Sequence, residues 1–180
     1  MDIIKTDLQG LLVIHPKVFA DSRGYFFESY RKEFLYGFNF DFVQDNISRS
    51  KKNTVRGLHY QVGEFAQGKL CQVISGRILD VTLDIRINSP TFGKHFSQEL
   101  SEDNHAIIWV PPGFAHGFSV LSDEAVFMYK CTAYYSKKDE RAILYNDPEL
   151  NIDWKVEEPV VSEKDLNAKL FKEIKKDFEL

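Results

Sequence analysis

The segment GRILDVTLDIR, residues 76–86, is the clearest structural signal in the sequence, because every second position from Leu79 to Ile85 is apolar. The intervening residues, from Asp80 to Arg86, are polar. Successive side chains of a strand point to opposite faces, so this period of two predicts a β-strand with one buried and one solvated face. NSPTFG, residues 88–93, then supplies turn-forming residues that end the strand.

Similar strand-like runs recur along the chain, and turn-forming residues separate most of them. They are LLVIH (11–15), FVQDNIS (42–48), KLCQVIS (69–75), HFSQEL (95–100), AIIWV (106–110) and AVFMYKCTAYY (125–135). Many short strands at such spacing predict an all-β antiparallel sandwich or barrel. Short peripheral helical structure is predicted over residues 29–38. A C-terminal helix is predicted over residues 162–180, where Leu166, Leu170 and Ile174 share one helical face.

The composition predicts one domain over residues 1–180, without a linker, repeat or low-complexity tract. A formal net charge of −4 argues against a nucleic-acid or anionic-membrane surface, both of which favour basic residues. No apolar run approaches the roughly 20 residues that span a bilayer, and MDIIKTDLQG lacks the pattern of a signal peptide. Cys71 and Cys131 lie alone in apolar runs, which predicts buried free thiols. We therefore expect a cytoplasmic protein.

The segment TVRGLHYQ, residues 54–61, alternates like a strand but carries Arg56 and His59 with a glycine between them. Strict alternation would place Arg56 and His59 on opposite faces, because they are three positions apart. A bulge at Gly57 would bring both side chains to one side, and bulges favour glycine and the rims of functional sites. A histidine that is merely hydrogen-bonded within a sheet is the alternative interpretation.

A metal site is a second alternative for these histidines. Two imidazoles in a His-x-His pattern share one face of a strand, but here the residue two positions after His59 is Gln61. VPPGFAHGFSVLS, residues 110–122, predicts a turn from its Pro and Gly content, and it places His116 at the edge of a cavity between strands. No third ligand is evident, although Glu64 is near in sequence. We expect no metal, which leaves His59 available as a base.

Three further residues have structural interpretations that compete with functional ones. Tyr129 shares a face with Cys131 by alternation and should point inward, where core packing is the usual role of tyrosine. Lys69 begins a strand, where a solvated lysine is usual. Asp165 follows Ser162 by three positions, a spacing typical of a capping box at a helix start.

A series of motifs nevertheless occurs in one order: FADSRGYFFES, QDNISRSKKNTVRGLHYQ, GKLCQVISGRILDVTLDIRINSPTFG, VPPGFAHGFSVLS, MYK, NDPELNIDW and VSEKD. In this order they resemble the dTDP-4-dehydrorhamnose 3,5-epimerase family, RmlC-like enzymes of the cupin superfamily. The resemblance covers about residues 8–166. It implies a cupin-type jelly-roll β-sandwich, a homodimer, and neither a metal nor a cofactor.

The resemblance also implies a reaction: the inversion of carbons 3 and 5 of dTDP-4-dehydro-6-deoxy-D-glucose. The product would be dTDP-4-dehydro-L-rhamnose, in the biosynthesis of dTDP-L-rhamnose. The proton acceptor of the family falls on His59 and the proton donor on Tyr129. The carboxylate that orients the histidine falls on Asp165, and Lys69 matches the cation beside the enolate oxygen.

Substrate contacts are implied for a further group of polar and aromatic residues. They are Arg23, Glu28, Gln44, Asn46, Arg56, His116, Tyr135, Glu140 and Lys164. The two arginines suit a diphosphate, because a guanidinium group makes bidentate contacts with phosphate oxygens. Tyr135 would stack on thymine, and His116 would line the sugar pocket.

Three other functions compete with the double epimerase. A related epimerase would invert carbon 3 alone, or would act on another nucleotide-linked 4-keto-6-deoxy sugar. A metal-dependent cupin oxygenase or isomerase is disfavoured by Gln61 in place of a second histidine. A sugar-binding cupin without catalysis is disfavoured because His59, Tyr129 and Lys69 occur together.

Overall fold

Two β-sheets packed face to face form the body of the protein, in a computed structural model that describes residues 1–35 and 40–180. The first sheet has the order β1-β2-β11-β7-β13-β5. Its strands are β1 (Asp2–Lys5), β2 (Leu12–His15), β5 (Gln44–Lys51), β7 (Lys69–Ser75), β11 (Ile107–Val110) and β13 (Glu124–Cys131). All of its strand pairs are antiparallel.

The second sheet has the order β10-β8-β12-β6-β14, and β15 adds a parallel pair to β6. Its strands are β6 (Thr54–Gln61), β8 (Arg77–Asp84), β10 (His95–Ser101), β12 (Phe114–Val120), β14 (Glu140–Ala142) and β15 (Val160–Val161). Two small strand pairs lie outside the main sheets: β3 (Phe19–Asp21) with β4 (Gly24–Phe26), and β9 (Arg86–Ile87) with β16 (Phe178–Glu179).

The described helical structure is short. It consists of α1 (Glu163–Leu166) and three 3-10 turns, at Lys32–Leu35, Gly63–Phe65 and Phe171–Glu173. None of the helices in the described ranges has the length and apolar composition of a membrane-spanning segment. The all-β prediction is confirmed, and each strand-like run of the sequence overlaps an observed strand.

Strand β8, which lies between β10 and β12, differs from its prediction because both of its faces are buried. Leu79 and Val81 pack in an outer cluster with Trp154 and Phe171, which come from the C-terminal third of the chain. Asp80 lies on the opposite face, which is turned into the sandwich, and it is fully buried. Alternation therefore predicted the strand correctly, but the polar face, which was expected to be solvated, is the one turned into the sandwich.

Of the helix predicted over residues 162–180, only Glu163–Leu166 is α-helical. Its supposed apolar seam begins at Leu166, which is 52% exposed. Long-range hydrogen bonds fix this backbone in another form: the Leu144 amide donates to the Lys169 carbonyl at 2.8 Å, and the Phe171 amide donates to Asp147 at 2.7 Å. Tertiary contacts thus override a weak helical period.

Two other predictions need correction. Of the helix predicted over residues 29–38, the part at Lys32–Leu35 is a 3-10 turn, and residues 36–39 lie outside the described residues. The turn predicted over 110–122 is shorter than expected, because β12 begins at Phe114 and is buried throughout. Cys71 and Cys131 are buried free thiols, as predicted.

The outer cluster gives a test of how strongly the C-terminal segment stabilises the sheet. Phe171→Ala should lower the free energy of unfolding by about 3–5 kcal/mol, because a buried aromatic ring leaves a cavity when it is truncated. The ring is buried and lies 5.2 Å from the Phe92 ring. Chemical denaturation followed by fluorescence would measure the loss. Lys172→Ala, at an exposed neighbour, is the matched control, and equal losses in the two variants would contradict the packing role.

Candidate active site

A pocket of about 460 Å³ opens beside β6 and α1 and collects four of the predicted site residues. Arg56 and His59 come from β6, and Lys164 and Asp165 come from α1. These two pairs are more than one hundred positions apart in sequence, so the pocket exists only because the C-terminal segment returns to β6.

An irregularity in β6 brings Arg56 and His59 to this one pocket. Opposite β12, His116 pairs with His59 and Phe118 pairs with Arg56, so β6 contains one extra residue between the two pairs. Gly57 has φ of +132°, and a Cβ there would lie 2.5 Å from the Gly117 Cα. Only glycine fits this close approach of two backbones. The hypothesis of a bulge at Gly57 is confirmed.

His59 is held by Asp165 through a hydrogen bond of 2.6 Å between Nε2 and a carboxylate oxygen. A carboxylate only accepts hydrogen bonds, so Nε2 carries the proton. In the neutral ring, Nδ1 then has a free lone pair and can accept a proton. His59 is half-buried, which keeps this nitrogen accessible from the pocket.

Asp165 is 2% exposed. Burial alone would raise the pKa of this carboxyl, but hydrogen bonds from His59, the Gly57 amide and Ser162 hold the pKa below its usual value. The helix cap is Ser162, whose hydroxyl accepts from the Asp165 amide at 3.2 Å. The capping motif is therefore real, but the Asp165 carboxylate is directed at the imidazole.

Tyr129 points inward along β13, as alternation predicted. Its ring lies 5.7 Å from the Phe127 ring and packs against the interior cluster. Burial raises the pKa of Tyr129 to about 12, and the charge of Arg56 acts against this rise. The phenol is therefore protonated at neutral pH and can donate a proton.

His59 and Tyr129 enter the space between the sheets from opposite sides. Residues that face each other in an antiparallel pair share a face, so His59 shares the face of His116. The His116 ring lies 6.3 Å from the Phe127 ring of β13, which identifies that face as the interior one. The sandwich thus places a base on one sheet and an acid on the other.

Lys69 lies on the same inner face as Tyr129. It begins β7 opposite Cys131 of β13 and is half-buried. Burial raises the pKa of the Cys131 thiol, and the charge of Lys69 acts against this rise. Lys69 is therefore not a fully solvated strand-end lysine, because its charge acts inside the sandwich.

Glu140 connects several predicted substrate contacts. It forms an ion pair of 2.5 Å with Lys164 and accepts from the Tyr135 hydroxyl at 3.0 Å. Burial would raise the pKa of Glu140, but the hydrogen bonds from Lys164 and Tyr135 hold the pKa below its usual value. The Tyr135 amide in turn donates to Gln44 at 3.0 Å.

From Gln44 the network continues toward the interior. The Gln44 amide group donates to Asn46 at 3.0 Å, and Asn46 donates to the Cys131 thiol at 3.6 Å. A chain of polar contacts therefore runs from Lys164, at the pocket, to the strand that carries Tyr129.

Three predicted contacts lie elsewhere in this chain. His116 is buried and bonded to Asp80 at 2.8 Å, so it lies inside the sandwich and not at a cavity edge. The Arg23 side chain is 88% exposed and paired with Asp21. Glu28 is exposed and contacts Arg31 at 3.5 Å.

Sequence reasoning overlooked some supporting residues. Ser50 is buried and accepts from Arg56 Nε at 3.1 Å, and alternation from Asn46 along β5 could have identified it. Gln61, considered earlier as a replaced metal ligand, donates to the Tyr134 carbonyl and accepts from the Ser136 amide at 2.6 Å. It positions the loop that carries Tyr135. Within residues 1–35 and 40–180, no group of three or more potential metal ligands is found together.

The family model described as dTDP-4-dehydrorhamnose 3,5-epimerase matches residues 5–173. The chain belongs to the dTDP-4-dehydrorhamnose 3,5-epimerase family. The Shigella flexneri enzyme of that name is 49% identical over 174 residues, covering 95% of this chain and 96% of the relative. Both the predicted family and the cupin-type sandwich are confirmed.

Two solved structures of the epimerase family show how closely the fold agrees. The dTDP-6-deoxy-D-glucose-3,5-epimerase of Legionella pneumophila, in complex with dTDP-4-keto-L-rhamnose, is 49% identical with a TM-score of 0.92. The match covers 97% of this chain and 94% of that one. ChmJ, a 3'-monoepimerase from Streptomyces bikiniensis in complex with dTDP-quinovose, is 30% identical with a TM-score of 0.88. That match covers 93% and 86% of the two chains.

The contact between Asp165 and His59 can be tested by separating orientation from capping. Asp165→Asn should lower kcat by about 100-fold or more, because an amide does not hold the Nε2–H tautomer and positioned bases contribute factors of this size. Its melting temperature should change little. Steady-state kinetics and thermal unfolding would measure the two effects.

Ser162→Ala is the matched control for this experiment, because it removes the cap and leaves the carboxylate. It should cost about 1 kcal/mol of stability with kcat within a few-fold of the wild type. If Asp165→Asn instead lowered stability and spared kcat, the carboxylate would act as a cap.

Proposed function

We propose that this protein is a dTDP-4-dehydrorhamnose 3,5-epimerase that converts dTDP-4-dehydro-6-deoxy-D-glucose into dTDP-4-dehydro-L-rhamnose. The observation that carries the proposal is the opposed pair: His59, oriented by Asp165, and the protonated Tyr129 on the facing sheet. Family membership supplies the substrate class. An inversion requires a base on one side of a carbon and an acid on the other, and this pair provides both.

The chemistry begins at the keto group on carbon 4, which acidifies the hydrogens on carbons 3 and 5. His59 Nδ1 removes one of these protons, and the electron pair moves into an enolate. The developing imidazolium is stabilised by the ionised Asp165 at 2.6 Å. Such placement of a base is worth about 10²–10⁴-fold in rate.

Tyr129 returns a proton to the opposite face of the same carbon. With a pKa of about 12, the phenol holds its proton at neutral pH and gives it to a basic enolate carbon. Lys69 stabilises the negative oxygen, since a cation inside a water-poor site acts more strongly than in bulk water. The substrate carries its own activating carbonyl, so the proposed reaction uses no cofactor and no metal.

The remaining site residues fit a nucleoside diphosphate. Arg56 lines the pocket with its guanidinium anchored by Ser50, and guanidinium suits phosphate oxygens. Tyr135 is exposed beside Glu140 and offers a ring on which thymine can stack. Gln44 and Asn46 continue the hydrogen-bond network from Tyr135, and His116 supports the interior end through Asp80.

A homodimer is part of the proposal, and the β3–β4 hairpin supports it. Phe19, Tyr25 and Phe26 are all exposed on this hairpin, and exposed aromatic clusters usually mark an interface. Arg23 lies on the same hairpin, away from this chain's pocket. A symmetric dimer that covers the hairpin gives Arg23 and Glu28 a route to the substrate of the other subunit.

We further propose that residues 1–180 act as one domain in the cytoplasm. The two main core clusters draw on residues from the beginning and the end of the chain, which fits one cooperative unit. The free state of Cys71 and Cys131 fits a reducing compartment.

An epimerase specific for carbon 3 is the second candidate. ChmJ is a 3'-monoepimerase with a TM-score of 0.88 to this chain, so the fold alone does not choose between one inversion and two. The double epimerase is favoured because the relatives near half identity carry that name.

Isotope exchange distinguishes the two candidates. In deuterated water, the product formed by the wild-type enzyme should carry deuterium at both carbon 3 and carbon 5, because each inversion replaces a carbon-bound proton with one from solvent. NMR and mass spectrometry of the product would locate the label. Label at carbon 3 alone would establish the single epimerase, and no label would eliminate the enolate mechanism.

Substitutions of the acid and the base should give different results. His59→Ala should reduce turnover by about 100-fold or more and abolish exchange at both carbons. Tyr129→Phe keeps the ring but removes the acid, so exchange at carbon 3 should continue while completed inversion falls. His95→Ala and Tyr134→Phe, which alter residues outside the pocket, are the matched controls. A folded His59→Ala variant that kept more than about a tenth of wild-type turnover would show that another residue is the base.

A further inference from the structure

A second cavity, of about 260 Å³, lies on the opposite side of β6 from His59. Tyr60 follows His59 in the strand, so its side chain points to the other face. Arg141 of β14 pairs with Tyr60 and shares that face. The Tyr60 ring contacts Phe178 at 6.2 Å in the outer cluster. The strand that carries the proposed base therefore forms a wall of two separate cavities.

Tyr60 lines this cavity with an unused hydrogen-bonding group. The residue is 4% exposed, and its hydroxyl has no hydrogen-bond partner among residues 1–35 and 40–180. Burial raises the pKa of Tyr60 to about 12, so the hydroxyl is a donor at neutral pH. The hydroxyl oxygen is reached by solvent through the cavity, so it can donate to a ligand that accepts a hydrogen bond there.

The charges around the cavity indicate an anion. Four cations line it, namely Arg141, Lys164, Lys169 and Lys175, against the single lining carboxylate of Glu140. Glu140 is already paired with Lys164. The side chains of Lys169 and Lys175 form no ion pair within the described parts of the chain. Asp177 is a nearby negative charge that opposes anion binding, and it contributes to the raised pKa of Tyr60.

We propose that this cavity is a second ligand site, which binds a phosphate group through Tyr60, Arg141 and Lys175. Phosphate oxygens accept from hydroxyl, guanidinium and ammonium donors, and all three kinds are present. The cavity is smaller than the roughly 300–1,000 Å³ of most sites for drug-sized ligands, which suits a small oxyanion. Free phosphate and a phosphorylated metabolite share this chemistry.

Lys164 couples the second site to the first, because its side chain lines both cavities. A phosphate in the second cavity attracts the Lys164 ammonium and weakens its ion pair with Glu140. Glu140 also lies within electrostatic range of His59. This step rests on the proposed function, in which Lys164 and Glu140 contact the nucleotide. Phosphate should then weaken nucleotide binding, and the nucleotide should weaken phosphate binding by the same factor.

The test is calorimetric titration of inorganic phosphate into the full-length protein saturated with dTDP, which occupies the diphosphate site of the active pocket. One phosphate per chain should bind. Lys175→Gln should weaken this binding by about two- to fivefold, as expected for an exposed charge. Tyr60→Phe should weaken it by about two- to tenfold through one lost hydrogen bond. Lys172→Gln, an exposed lysine outside the cavity, is the matched control and should bind as the wild type does.

Absence of phosphate binding to the dTDP-saturated protein would overturn the proposal, since phosphate would then use only the active pocket. Binding that is equal in the wild type, Lys175→Gln and Tyr60→Phe would also overturn it. If dTDP itself does not bind, the proposed function fails, while the phosphate titration of the free protein and its variants still tests the second site. A phosphate-bound crystal with the ion between Tyr60 and Arg141 would support it directly.

The coupling has its own measurement, the affinity for dTDP at zero phosphate and at a phosphate concentration a few times the wild-type Kd of the second site, which leaves the weaker Lys175→Gln site only partly filled. The wild type should lose several-fold in dTDP affinity, and Lys175→Gln should lose less at the same phosphate concentration. Phosphate competes with dTDP in the active pocket equally in both proteins, so the difference between their losses of dTDP affinity reports the second site alone. An equal loss in the two proteins would refute the coupling.

Discussion

The close approach of Gly57 to Gly117 is the constraint on which the rest of the site depends. A side chain at either position would meet backbone atoms within 3 Å. Because β6 can press against β12 here, it accommodates one extra residue, and Arg56 and His59 both face the pocket. The same local backbone offers the Gly57 amide to Asp165 at 3.4 Å. The close backbone approach that the two glycines permit thus orients Arg56, His59 and the Asp165 carboxylate that holds His59.

The C-terminal third of the chain has two physical roles that cannot be separated. Trp154 and Phe171 cover the outer face of the second sheet, which would otherwise expose a continuous apolar surface. The same segment carries Lys164 and Asp165 to the rim of the pocket. Burial of this apolar surface therefore supplies the free energy that holds Lys164 and Asp165 at the pocket. A surface helix without those contacts would not position either residue.

The sequence predicted the local structure better than it predicted the surroundings of that structure. The alternation in GRILDVTLDIR identified β8, but its polar face is buried by the facing sheet, whose strands come from other parts of the chain. The helical period at Leu166 and Ile174 was misleading, because a long-range hydrogen bond from the Phe171 amide to Asp147 fixes the backbone there. In the site, the glycine between Arg56 and His59 was sufficient to suggest a bulge. The partner of His59 came from the family resemblance, since no local pattern connects residues 106 positions apart.

This separation in sequence determines the order in which the parts of the site form during synthesis and folding. Strand β6 is synthesised before α1, so the Asp165 carboxylate can reach His59 only after 106 further positions have been added. A nascent chain, or one cleaved before α1, would lack the group that orients the imidazole and would lose the rate that this orientation provides. Full activity is thereby tied to the docking of α1 against β6, and a long-range contact of this kind is also among the slower ones to form.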